Sequence, residues 1–176
     1  RGHFDILIAL NLDTIEKDAQ YVASGGSVLF NSDRVKVRED QVPSGVTLMP
    51  LPVGQLAGQF SKAPIIQNMV ALGAAVRLAD MDFALIEELG GERFKKKGSE
   101  VAQANINAAR AGYDHAGKTW GSLNFGLKFS GVRRMILTGN QAIAVGATAG
   151  GLKFYAAYPM TPASSILHWF AARGQK

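Results

Sequence analysis

Leu137-Thr138-Gly139-Asn140-Gln141-Ala142-Ile143-Ala144 and Tyr155-Ala156-Ala157-Tyr158-Pro159-Met160-Thr161-Pro162 are apolar runs that stop at a polar or Gly/Pro corner and continue into helix-compatible sequence. That order predicts the strand-corner-helix unit of an α/β sheet. Helix N-termini in such sheets gather at the strand ends, where free backbone N–H groups favour anions. Thr161 stands just before Pro162, which places its hydroxyl at a helix entrance able to receive a carboxylate or phosphate.

The same strand-and-corner order appears at the other end of the chain. Phe4–Leu10 is apolar at every position but Asp5, the mark of a strand covered on both faces. The chain enters it almost at once, so residue 1 is expected to lie inside a domain. Asp13 and Glu16 have capping-box spacing for a helix to about Val22, closed by Ser24-Gly25-Gly26, with Ser27–Asn31 as the next strand. Short corners between these elements argue for a parallel crossover. Val46–Leu51 reads as a further extended run, and Pro64 suits the first turn of a helix carrying Ile65, Ile66, Met69, Val70, Leu72, Val76 and Leu78. Asp82 is placed to cap a shorter helix to Leu89, stopping at Gly90-Gly91. Glu92–Ala111 then reads as a long polar helix, weakened at Gly98 and ending near Gly112. Tyr113–Ser130 has no clear period and suits a linker, and the second α/β segment begins at about Val132.

Composition narrows the classes. The 176 residues are 47% hydrophobic with dispersed charge, which suits a globular chain with a sizeable core. No apolar run reaches the roughly 18 residues of a membrane helix, so no membrane partner is expected. With no cysteine, the chain has no disulfide, zinc-thiolate site, cysteine nucleophile or thiolate ligand for an iron–sulfur cluster. Net charge is +5, and the densest basic cluster is Arg93-Phe94-Lys95-Lys96-Lys97. It follows Glu87, Glu88 and Glu92 as a solvated helix face would, and no nucleic acid is expected without a reading motif. His3, His115 and His168 lack paired spacing, so no metal is assigned. Gly146-x-x-x-Gly150-Gly151 falls where a helix should end and is no nucleotide fingerprint. Ser164 and Ser165 lack the surroundings of a nucleophile, and His168 beside Trp169 reads as a helix-face residue.

In order and spacing, five stretches resemble the 2-oxoacid:ferredoxin oxidoreductases, and in particular subunits with a gamma-type domain fused in front of an alpha-type domain. Asp5–Asn11 resembles the central strand of the gamma domain, Asn68–Ala74 its late helix, and Arg93–Tyr113 the helix leading out of it. Thr138–Ala144 resembles the opening of the alpha domain, and Tyr158–Ser164 its substrate-side signature. Met160 stands where the family usually has Ile. The Gly-rich opening of the gamma domain and the later alpha-domain residues that complete the site are not in the chain.

The resemblance implies two partial Rossmann-like and thiamine-enzyme-like parallel-sheet segments: 1–112 from the gamma-type domain, a linker over 113–130, and 131–176 from the alpha-type domain. It implies a cytoplasmic complex that decarboxylates a 2-oxoacid to acyl-CoA. Thiamine diphosphate, Mg2+ and iron–sulfur clusters act in the complete assembly, and none is bound by this chain alone. Its partners would be a beta-type thiamine-binding subunit and ferredoxin, its substrates the 2-oxoacid and CoA. Thr161, Tyr158 and Pro159 become the substrate-binding candidates. The residues themselves leave two roles open for Thr161: a helix cap before Pro162, which is the commoner use, or a donor to the oxoacid, which the resemblance favours. Tyr158 reads most simply as a packed tyrosine, and Gly139 and Asn140 as makers of a tight corner. The competing readings are a structural or assembly module without a ligand site, and a generic nucleotide-binding α/β protein, disfavoured by the missing phosphate loop.

Overall fold

A computed structural model describes residues 3–94, 98–127, 131, 132 and 134–173, with backbone alone at 92–94. The chain forms two compact units, 1–128 and 129–176. The basic cluster from Arg93 to Lys97 lies outside the described side chains.

The first unit is built on three parallel strands, β1 (Phe4–Ala9), β2 (Val22–Asn31) and β3 (Thr47–Leu51), in the order β1-β2-β3. Side chains alternate across the central strand. Val28 and Phe30 face a cluster with Ala9, Ile15, Ala19 and Val35, while Leu29 faces Met49, Leu51, Val70 and Leu78. Both faces of the central strand are therefore covered, as its apolar run Val28–Phe30 requires. β1 departs from the expectation: at the sheet edge it buries only Ala9 fully and leaves Phe4 and Ile8 exposed. Each fully buried aliphatic side chain here contributes about 1.5–3 kcal/mol relative to exposure.

Helix α1 (Leu12–Asp18) covers one face after β1. Its cap is Asn11, not Asp13: Asn11 Oδ1 accepts from the Thr14 backbone N–H at 2.9 Å. Asp13 sits inside the first turn and pairs with Lys17, four residues on, at 2.8 Å. The helix ends in a 3-10 turn, Ala19–Tyr21, and β2 begins at Val22, earlier than the Gly25-Gly26 pair suggests. The strand passes through the pair as a bulge. Phe4 pairs with Val22 and Ile6 with Ser27, so four residues of β2 stand opposite Asp5 alone. Gly25 has φ +81, and its N–H donates to the Gly45 carbonyl at 3.0 Å. A Cβ on Gly26 would lie 2.9 Å from the Asp5 carbonyl oxygen. Glycine thus permits the bulge instead of ending the strand.

The other face is packed by α2 (Val53–Gly58), α3 (Gln67–Leu78) and α5 (Ser99–Thr119). Asp33, on the excursion after β2, accepts from the Gly54 and Gln55 N–H groups at 2.6 and 3.1 Å. A carboxylate distant in sequence thus takes the place of a cap for α2. Pro64 opens a 3-10 turn, Pro64–Ile66, that leads into α3.

Helices α3 and α5 touch backbone to backbone. A Cβ on Gly73 would overlap the Ala109 carbonyl, and one on Gly112 the Val70 carbonyl. This is why α5 continues through Gly112, where a stop is expected from sequence: the residue is a contact point, not a cap. The stop comes at Gly121, whose φ is +79 and whose N–H reaches the Ala116 carbonyl at 3.1 Å. Residues 113–119, expected in the linker, are therefore helical.

Helix α4 (Ala84–Phe94) likewise runs through Gly90-Gly91. Asp82 does cap its entrance, accepting from the Ala84 N–H at 2.9 Å. The Arg110 guanidinium lies 3.4 Å from the Phe83 ring centroid and pairs with Glu87 at 2.9 Å, tying α4 to α5.

The second unit holds α6 (Gly139–Ala149) and α7 (Ser164–Arg173), with no strand among its described residues. The mixed α/β class stands, carried by one parallel sheet in the first unit. The strands expected before each corner do not form here. A strand needs neighbours for its backbone groups, and residues 134–137 and 152–160 have no ladder partner in this unit. Their apolar side chains stay exposed, Ile136 at 95% and Phe154 at 82%.

Two substitutions test the helix seam. Gly112→Ala should destabilise the chain by about 1–3 kcal/mol through overpacking. Gly91→Ala, where nothing lies within 4 Å, should be neutral or gain up to about 1 kcal/mol from helix propensity. Urea unfolding of the two variants beside the parent measures both; equal midpoints would refute the contact. Asp33→Ala, probed the same way, should lose about 1 kcal/mol with its capping bonds to α2.

Candidate functional site

Helix α6 begins with a reciprocal cap. Thr138 Oγ1 accepts from the Gln141 N–H at 3.3 Å, and the Thr138 N–H donates to Gln141 Oε1 at 2.9 Å. The signal was present in the sequence as Thr-x-x-Gln spacing. Inside this first turn sits Asn140. Its amide Nδ2 donates to the Pro162 carbonyl at 2.8 Å and to Ser165 Oγ at 2.7 Å. The Ser165 hydroxyl itself approaches the Pro162 carbonyl at 3.5 Å. The two corners singled out in the sequence are thereby fastened to each other. Asn140 is more than a corner residue, and no local spacing could announce partners 22 and 25 residues away.

The second corner runs through a turn at 161–163 into α7. The Ser164 N–H donates to the Met160 carbonyl and the Ile166 N–H to the Ala163 carbonyl, both at 2.9 Å. Neither bond uses the Thr161 side chain. Among the described residues its hydroxyl has no hydrogen-bond partner, so the capping role left open by sequence is not realised. Thr161 is exposed. Tyr158 is 84% exposed, which corrects the reading of a packed tyrosine, and Pro159 is exposed beside it. A tyrosine in an apolar run buries its ring only if a neighbouring element covers it, and none in this unit does.

A cavity of about 660 Å³ opens between the helices, lined by Thr138, Gly139, Asn140, Gln141, Ser165, His168, Trp169 and Arg173. Thr161, Tyr158 and Pro159 are not among its lining residues. The Arg173 guanidinium stacks 5.0 Å from the Trp169 ring, and Tyr155 meets Phe170 at 4.8 Å between ring centroids. His168 lies on α7, as its neighbours suggest, and also faces this cavity. Gly150 and Gly151 end α6: Gly151 has φ +84, and the Leu152 N–H donates to the Ala147 carbonyl at 3.0 Å. Among the described residues no group of three His, Cys, Asp or Glu is placed to hold a metal ion. No helix among them is long and apolar enough to cross a membrane.

Residues 1–115 match the family model for pyruvate ferredoxin/flavodoxin oxidoreductase. The chain is 28% identical to the 2-oxoglutarate oxidoreductase subunit KorA of Mycobacterium tuberculosis, over 93% of this chain and 29% of that protein. It is 31% identical to the 2-oxoglutarate synthase subunit KorC of Methanocaldococcus jannaschii, over 64% of this chain and 58% of that one. The chain thus spans about a third of the first relative's length and just over half of the second's. In structure it is similar to a 2-oxoglutarate:ferredoxin oxidoreductase from Magnetococcus marinus solved with 2-oxoglutarate, coenzyme A and succinyl-CoA bound. That match has a TM-score of 0.83 at 29% identity, over 98% of this chain and 30% of that one. The fold is shared with pyruvate oxidoreductase subunit PORC of Thermotoga maritima, at a TM-score of 0.52 and 24% identity over 65% of this chain and 64% of that one. With nearly two thirds of its length matched by the family model, the chain belongs to the pyruvate ferredoxin/flavodoxin oxidoreductase family and forms part of a 2-oxoacid:ferredoxin oxidoreductase subunit.

Proposed function

We propose that the chain joins the end of a gamma-type domain (1–112) to the start of an alpha-type domain (131–176) and supplies one wall of the oxoacid site in thiamine-dependent oxidative decarboxylation to acyl-CoA. The observation that supports this reading most is Thr161: an exposed hydroxyl at the approach to α7, without a protein partner, on a corner tied down by Asn140. A free hydroxyl on a fixed corner can donate to the substrate carboxylate or keto oxygen at no cost to an internal bond. Tyr158 and Pro159 precede it on the same exposed segment and would shape the wall around the substrate. Water exclusion would come from the surface that covers this segment in the complex.

Without a cysteine the chain has no thiolate ligand for an iron–sulfur cluster, and its described residues assemble no acidic or histidine cluster for Mg2+. In this reading thiamine diphosphate, its Mg2+ and the clusters are carried by other parts of the assembly, the beta-type subunit above all, as the family resemblance implies. Ferredoxin receives the electrons through that complex, which works in the cytoplasm. A purely structural role is the second reading. It is favoured by the exposed apolar side chains of Ile136, Phe154 and Tyr158, which suit a buried interface.

Two measurements test the proposal, and the second separates it from the structural reading. The purified 176-residue chain should show no oxoacid-dependent reduction of a viologen dye, and activity of that chain alone would refute the division of labour. In the assembled enzyme, Thr161→Val should lower kcat/KM for the oxoacid by roughly one to two decades, the loss of a hydrogen bond to a charged group of about 1.5–3 kcal/mol. The melting temperature should stay near that of the parent, since the hydroxyl caps nothing. Unchanged kinetics would leave only the structural reading.

A further inference from the structure

We infer that Asn140 is a positioning residue for the oxoacid site, acting on the substrate through Thr161. The inference rests on the reading of Thr161 as a substrate donor. It is motivated by the pair of bonds from the Asn140 amide to the Pro162 carbonyl at 2.8 Å and to Ser165 Oγ at 2.7 Å.

The chemistry of the amide suits this task. Asn carries two N–H donors in one plane, and both are used. One fixes the carbonyl of the residue that immediately follows Thr161. The other fixes a hydroxyl in the first turn of α7, whose own proton points toward the same carbonyl at 3.5 Å. The peptide after Thr161 and the helix after it are thus held by a single side chain. That side chain is itself anchored, because Asn140 lies between the two members of the Thr138–Gln141 cap. The constraint therefore runs from the α6 cap through Asn140 to the corner that bears Thr161. Inside the corner, the Met160 carbonyl accepts from the Ser164 N–H, which bridges Thr161 but fixes it to nothing outside its own turn. Asn140 is the tie that places the corner relative to α6. A misplacement of the order of an ångström at a substrate contact is enough to lower turnover about a hundredfold.

An aspartate would keep the shape of the side chain but could not donate when ionised, and it would set a carboxylate oxygen against the Pro162 carbonyl. Asn140→Asp therefore separates donation from packing. In the assembled enzyme, Asn140→Asp and Asn140→Ala should each lower kcat/KM for the oxoacid by roughly ten- to a hundredfold. The KM for CoA should not move. The decisive readout is the double variant: Thr161→Val with Asn140→Ala should fall within about threefold of Thr161→Val alone, because residues acting through one another are non-additive. Multiplicative losses, or parent-like kinetics of Asn140→Asp, would overturn the inference while leaving the Thr161 site in place. Unchanged kinetics of Thr161→Val itself would overturn both. Should the Asn140 variants fail to assemble, Ser165→Ala decides. It keeps the bond to Pro162 and should cost roughly threefold in kcat/KM, again without adding to Thr161→Val; parent-like kinetics or full additivity there would equally overturn the inference.

Discussion

The first unit depends on the approach of two helix backbones. Gly73 against Ala109 and Gly112 against Val70 leave no room for a Cβ, so α3 and α5 meet at a distance that side chains would forbid. Small residues line the seam: Ala71, Ala74, Ala108 and Ala109 are buried along it. Close approach brings many atoms into dispersion contact, each weak and the sum large. It also turns the pair into a rigid wall on which Leu29, Met49 and Leu51 of the sheet are packed. The helix propensity lost at each glycine, about 1 kcal/mol, is offset by that contact.

Polar side chains distant in sequence do the corresponding work at the edges. Asp33 caps α2 across 21 residues, Arg110 joins α4 to α5 while stacked on Phe83, and Tyr113 donates to the Met81 carbonyl at 3.2 Å. None of these is a strong bond on its own, since all are at least partly exposed and screened. Their value is in fixing where helix ends lie. In the second unit the same device, with Asn140 as the donor, fixes a segment that has little else to hold it. Ala144 is that unit's single buried apolar residue among those described, so orientation there comes from hydrogen bonds and a few ring contacts and not from a core.

The functional reading follows from that contrast. The first unit carries the family match and is a packed α/β body. The second carries the substrate candidates on an exposed segment ahead of α7, with large apolar side chains facing outward. A corner of this kind is suited to being completed by another surface. The residue that would touch the substrate, Thr161, is left unpartnered, and the residue that would hold it, Asn140, is satisfied at both donors.

By itself the sequence determined what depends on local pattern and on chemistry. The largely apolar stretches Phe4–Leu10 and Val46–Leu51 became strands because each brings side chains to the core, Ala9 from the first and Met49 and Leu51 from the second. Pro64 opened a turn into a helix, Asp82 took its cap, and the absence of cysteine ruled out thiolate ligands. What only the tertiary structure decided is the meaning of the glycines and of the extended runs near the C-terminal end. Gly25 sits in a bulge, Gly112 at a helix contact and Gly121 at a helix stop, yet all three look alike in the sequence. Glycine's backbone freedom suits a bulge, a close contact and a helix stop alike, so its neighbours in space assign its role. The runs before α6 and α7 failed to become strands for the complementary reason. A strand is made by the partner it bonds to, and Asn140 found its partners across the fold where no periodicity could point to them.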